Sequence, residues 1–250
     1  VKLRVYLAQW DRVRIVIFYR RFYDWIASMW NEETKKVPPS RRKNIVEFLG
    51  HNYDAEFPHF GMWYDITAAP LMMRLRGHFP GKDEIMIRDY VDDGMDGRLS
   101  ERFFCDTVPD AHSTCLYTQQ EQTTRRQNSK SNLDYDFLLE GARRAKLVNF
   151  EPNNKKQVDE TKHELRNYWE KTLNLNTANL PRICPPRHIL NAIWNVTLHS
   201  ENMLVVEGLE SKSEMQSEFE NAARTTLCAV DVESVLKDER LQLFFKSKRM

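Results

Sequence analysis

Apolar residues gather first into a short, β-branched run, Val13–Tyr19 (VRIVIFY), which then gives way to an aromatic-rich segment through Trp30. A strand buried on both faces of a parallel sheet reads as such a run, so the pattern predicts a strand over Val13–Tyr19 with its carboxyl end at Arg20, followed by a helix. A second run, Ile85–Tyr90, leads through an acidic turn at Asp92 and Asp93 into a helix with apolar positions Leu99, Phe103 and Phe104. Strand, turn and helix repeated in this way predict an α/β fold, a parallel sheet flanked by helices.

Elsewhere helical spacing dominates. Pro38-Pro39-Ser40 opens a predicted helix through about Leu49, proline being well placed in a first turn where its missing N–H needs no partner. Thr118–Asn132 is polar, lacks apolar spacing and is expected to be a surface loop. Further helices are predicted at Asp134–Val148, Lys155–Leu175, Pro186–Leu204, Lys212–Val230 and Val232–Phe245. The last is N-capped by Asp231 and offers Val235, Leu236, Leu241 and Phe244 for packing. The chain thus reads as one domain over 1–250, strand-led early and helical over 134–250, with no internal repeat.

Candidate chemistry sits at the end of the first strand. In open α/β sheets ligands bind beyond the strands' carboxyl ends, where a cation and a helix N-terminus jointly hold an anion. Arg20 and Arg21 occupy that point, and the planar fork of arginine suits phosphate. Asp24 and Ser28 lie one helical turn apart on a shared face; Ser28 offers a hydroxyl donor, Asp24 a carboxylate that orients the arginine or favours the helix start. The plainer reading of the same residues is a solvated helix start and a small side chain where helix meets sheet.

At these positions the sequence resembles the sulfotransferase family, whose second nucleotide motif has an arginine at a strand end, an aspartate four positions on and a serine eight positions on. Arg20, Asp24 and Ser28 match that spacing, with Tyr19 before and Trp30 after in fitting aromatic positions. The stretch YRRFYDWIAS looks closest to divergent microalgal and protist members, which LPRICPP and ENAARTTLCAVD also resemble weakly. A second likeness follows in order: a strand ending in an aromatic and acidic pair, a helix, and a turn whose counterpart is Phe104–Pro109. The resemblance implies a P-loop NTPase-like fold and a role for Arg20 and Ser28 in holding the 3′-phosphate of 3′-phosphoadenosine-5′-phosphosulfate, the sulfate donor. It implies transfer of a sulfuryl group to an acceptor hydroxyl, carbohydrate above all, with no metal.

The family's lysine-bearing phosphate loop has no counterpart before Arg20, and the chain starts at Val1 rather than Met. The expectation is a C-terminal part of a longer protein, with loop, first strand and catalytic base upstream of Val1. Two other classes remain open: an inactive sulfotransferase-like binding or scaffold protein, and a P-loop kinase or nucleotide hydrolase, for whose magnesium site Asp92-Asp93 is a poor stand-in.

Composition narrows the field. With 41% apolar residues over 250 positions the chain can bury a sizeable core, and a net charge of +1 gives no reason to expect nucleic acid. No apolar run reaches the roughly 18 residues of a membrane span, so any anchor is expected upstream. Cys105, Cys115, Cys184 and Cys228 contain no CxxC pair. In a secretory setting Cys105 pairs with Cys115 and Cys184 with Cys228; in the cytosol all four are buried thiols. The sequon Asn195-Val196-Thr197, inside a predicted helix, suits a Golgi lumenal protein; the resemblance to membrane-anchored relatives implies the Golgi lumen as part of a type II membrane protein, with the cytoplasm as the alternative. The basic cluster Arg41, Arg42, Lys43 suits either an acidic acceptor such as a partly sulfated glycan or plain solvation. His51 and His59 flank an aromatic stretch that suits an acceptor cleft or ordinary packing. The seven histidines form no HExxH pattern, so no metal site is expected, and no GxSxG suggests a hydrolase.

Overall fold

A computed structural model describes residues 13–53, 67–79, 85–90, 99–108, 111–120, 130–150, 154–175, 179–206 and 214–248. In chain order the elements are β1 (Ile15–Tyr19), α1 (Phe22–Lys36), a 3-10 turn (Pro39–Arg41), α2 (Ile45–Asn52), α3 (Ala68–Arg76), β2 (Ile85–Asp89), α4 (Leu99–Arg102) and α5 (His112–Gln120). There follow α6 (Lys130–Arg144), α7 (Lys155–Asn167), β3 (Arg182–Ile183), α8 (Arg187–Val206), α9 (Met215–Arg224), β4 (Ala229–Val230), α10 (Val232–Leu236) and α11 (Glu239–Ser247). The fold is mixed α/β and helix-rich, with a small parallel sheet. Contacts divide the chain into two compact units: 1–25, 54–126 and 191–216 form the first, and 26–53, 127–190 and 217–250 the second.

In the first unit β1 pairs parallel with β2, from Ile15 opposite Ile85 to Tyr19 opposite Asp89. Parallel neighbours need a long crossover, which the intervening chain supplies. Side chains alternate along β1. Ile17 and Tyr19 are buried in a core with Ile85, Met72 of α3 and Leu204 of α8, and Val13 and Ile15 pack partly against the same cluster. Val16 and Phe18 point to the other face and are only half-buried, so the expected burial on both faces is not reached. Over that second face lies the turn after α4, a π-helical turn at Phe103–Thr107. Phe18 meets Phe103 with ring centroids 5.8 Å apart, Arg88 pairs with Asp106 at 3.1 Å, and Arg14 donates to the Thr107 carbonyl at 3.0 Å. The Cys105–Cys115 disulfide ties this turn to α5. The acidic turn at Asp92-Asp93 and Pro109 lie outside the described residues.

The second unit is built on α6. Leu138, Leu139 and Ala142 bury against Leu165 of α7, Val235 of α10 and Phe245 of α11. Gly141 is required there: a Cβ would collide with Cγ1 of Val232 and lie 3.3 Å from Cδ1 of Leu236, and branched Val232 has little freedom to turn away. Asp136 accepts from Arg42 at 2.7 Å and Lys162 at 2.6 Å, joining the stretch before α2, α6 and α7. The antiparallel β3–β4 ladder sets Arg182 opposite Val230 and Ile183 opposite Ala229, and the next pair in that register, Cys184 and Cys228, forms the second disulfide.

Several boundaries differ from the predicted ones. Pro39–Arg41 makes only a 3-10 turn, and α2 starts afresh at Ile45 because Asn44 and Glu47 form a reciprocal capping box, each side chain bonding the other's backbone N–H at 3.0 Å. Helix reaches Gln120 and resumes at Lys130, so the polar stretch between narrows to 121–129, outside the described residues. The predicted helix Lys212–Val230 ends at Arg224 and gives its last residues to β4. Asp231 caps α10 as expected, accepting from the Ser234 N–H at 3.1 Å, but Asp238 caps a separate α11 and so divides the predicted Val232–Phe245 helix.

Helix α6 ends in a Schellman motif, with Leu147 N–H donating to the Ala142 carbonyl at 2.8 Å and Lys146 N–H to that of Arg143 at 3.0 Å. The motif puts its penultimate residue in the left-handed region, and here that residue is Lys146 at φ 56°. A Cβ there costs about 1 kcal/mol relative to glycine. Lys146→Gly is therefore expected to raise unfolding stability by roughly that amount in a urea titration; a loss of stability would contradict the assigned cap.

Candidate active-site geometry

The first unit places two arginines at the β1 end. Tyr19 ends β1, and Arg20 and Arg21 link it to α1, with different partners for each arginine. Tyr19 and Arg21 meet Glu201 of α8: the Tyr19 hydroxyl donates to Glu201 Oε1, and Arg21 Nε lies 3.5 Å from the same oxygen. Arg21 also donates to the Tyr23 hydroxyl at 3.2 Å. Arg21 is 4% exposed and Glu201 3%, so this is a buried ion pair and not a solvated helix start. The burial of Tyr19, then the charge and hydrogen bond of Glu201, push its phenol well above the ordinary range.

Arg20 is half-buried. The β1–β2 register ends at Tyr19 opposite Asp89, and Arg20 and Tyr90 are the residues that follow the two strands. The guanidinium carbon lies 3.9 Å from the centre of the Tyr90 ring. Arg14, Arg21 and Arg88 each hold an oxygen of the protein, whereas among the described residues Arg20 meets only this ring. Helix α1 begins immediately afterwards: Arg21 supplies its first carbonyl acceptor, to Asp24 N–H at 3.0 Å and Trp25 N–H at 2.8 Å, and Asp24 is the carboxylate in its first turn. Such a constellation offers an anion a planar donor at the start of a helix.

The remaining candidates fall elsewhere. Ser28, half-buried on α1, belongs to the second unit, while Arg20, Arg21 and Asp24 belong to the first. Trp30 is buried, donating from its indole to the Lys43 carbonyl at 3.0 Å and stacking on Phe137. Of the basic cluster, Arg42 is bound to Asp136, and Arg41 and Lys43 are exposed. His51 is exposed, Tyr53 packs against the His188 ring at 5.3 Å, and His59 with most of the aromatic stretch lies outside the described residues. The sequon sits inside α8, where Asn195 is exposed while Thr197 is fully buried and bonds the Ile193 carbonyl at 2.9 Å. Among the described residues no His, Cys, Asp and Glu gather as metal ligands, and no helix is long and apolar enough to cross a membrane.

Sequence reasoning missed Glu201 because nothing local marks its partner, far back along the chain. Removing one member of a buried pair leaves an uncompensated charge, so Glu201→Gln is expected to cost about 3 kcal/mol in chemical denaturation; a loss below about 1 kcal/mol would contradict the pairing. Tyr19 also links stability to base. Its folded phenol titrates above the unfolded value, so its contribution is whole below pH ~10 and falls by up to roughly 1.4 kcal/mol per pH unit above that, until the folded group itself ionises. Denaturation midpoints at about pH 9 and 11 are expected to show this fall, and Tyr19→Phe to lessen it.

No family model, no curated protein and no solved structure matches this chain. The sulfotransferase likeness therefore stands on its own motif residues, chiefly Arg20, Asp24 and Ser28.

Proposed function

We propose that the β1 end binds the phosphate of a nucleotide through Arg20, and that the chain serves a sulfotransferase of P-loop NTPase-like fold whose donor is 3′-phosphoadenosine-5′-phosphosulfate. The observation that carries this reading is the state of Arg20: a half-buried guanidinium at a strand's carboxyl end, at a helix start, which meets an aromatic face while Arg14, Arg21 and Arg88 are occupied by oxygens of the protein. Arg21, a candidate only by its place at the strand end, is engaged by Glu201 and takes a fold-holding role. Asp24 in the first helical turn favours the helix start, and Ser28 is the second donor by motif spacing alone.

In this reading Arg20 positions the donor. The sulfuryl group passes in line from the bridging oxygen of the nucleotide to an acceptor hydroxyl, whose proton a base removes as fixed donors stabilise the leaving phosphate. The two disulfides support an oxidising compartment, and with it the lumenal alternative over the cytoplasmic one. The carbohydrate acceptor rests on the resemblance alone.

Titration calorimetry with adenosine 3′,5′-bisphosphate tests the assignment. A charge-assisted contact contributes about 1.5–3 kcal/mol, so Arg20→Ala is expected to weaken binding by roughly 10- to 100-fold. Equal affinity of the wild type and Arg20→Ala would overturn it.

A further inference from the structure

The geometry points to Tyr90 as a positioning residue for the anion site: its ring holds the Arg20 guanidinium in the orientation that receives the phosphate. This rests on the nucleotide-anion reading of Arg20 and adds to it a residue that never touches the phosphate. The Tyr90 ring and the Arg20 guanidinium carbon are 3.9 Å apart, a separation that suits a guanidinium lying flat on the ring face. A flat guanidinium keeps its N–H groups in its own plane, directed away from the ring and open to a bidentate acceptor.

The strand next to it holds the chain that carries the ring. Tyr90 follows β2 directly, one residue after Asp89, which the sheet pairs with Tyr19. The π-helical turn Phe103–Thr107 is fastened to β1 through Phe18, to β2 through Arg88, to Arg14 just before β1, and to α5 through Cys105–Cys115. An arginine side chain is otherwise long and rotamer-rich, and ordering it on binding lowers affinity. An aromatic face that orders it beforehand removes part of that loss, and because the attraction is electrostatic it depends on the electron density of the ring and not on the tyrosine hydroxyl.

The test measures adenosine 3′,5′-bisphosphate affinity by calorimetry in the wild type, Arg20→Ala, Tyr90→Phe, Tyr90→Leu and the Arg20→Ala/Tyr90→Leu double variant. Tyr90→Phe, which keeps the ring face, is expected to bind as the wild type does. Tyr90→Leu is expected to weaken binding by roughly 3- to 30-fold, the range of a cation–π contact, and to cause no further loss once Arg20 is absent. Should the leucine variant fail to fold, phenylalanines of rising fluorine content at position 90 keep the shape and weaken the ring's negative face. Affinity should then fall stepwise along that series. A wild-type affinity in Tyr90→Leu, an additive double variant, or a flat fluorine series overturns the positioning role while a weakened Arg20→Ala leaves the anion site standing. Loss of both effects, with Arg20→Ala binding as the wild type does, overturns the anion reading itself.

Discussion

Glu201 is the constraint on which the first unit turns. One carboxylate of α8, almost removed from water, takes the hydroxyl of Tyr19 and the guanidinium of Arg21, residues two apart at the end of β1. With Tyr19 and Arg21 committed to Glu201, Arg20 between them takes a different partner, the Tyr90 ring. The buried pair therefore sorts two adjacent and chemically identical side chains into different tasks. Burial of such a pair adds little stability by itself, since desolvation offsets most of the attraction, but it is intolerant of a missing partner and so fixes the direction in which the strand ends.

The sheet then divides its faces. Odd-numbered positions of β1 build the apolar cluster with α3 and α8, while Phe18, with Arg14 just before the strand, meets the turn on the second face. There the π-helical turn after α4 and its disulfide brace the strands near their carboxyl ends. In the second unit the same economy of partners recurs: Asp136 serves two cations, and Glu140 is held below the usual carboxylate range by Arg143 first and by Arg144. Cations that look like a basic surface in the sequence, Arg42 among them, are in this way spent on the fold.

What could be read in the sequence was what local chemistry decides. The two strands, their carboxyl ends near Arg20 and Tyr90, the long helix at α8 and the Asp231 cap follow from apolar runs and from capping side chains. The Asn44-x-x-Glu47 box and the Asp238 cap were equally local signals, masked by an uninterrupted helical spacing around them. Hidden were the features that depend on residues far apart in sequence: Glu201 taking Arg21 from the candidate site, Tyr90 meeting Arg20, and Thr197 turned inward on α8. Motif spacing selects Arg20, while position at the strand end admits Arg21 as well; tertiary packing shows that Arg21 is held by Glu201.

The most direct measurement follows the side-chain Nε–Hε resonances of Arg20 and Arg21 by NMR while adenosine 3′,5′-bisphosphate is added. The account predicts that the Arg20 signal moves with saturation and the Arg21 signal, held by Glu201, stays in place. A shift at Arg21 without one at Arg20, or no shift at either, would contradict it.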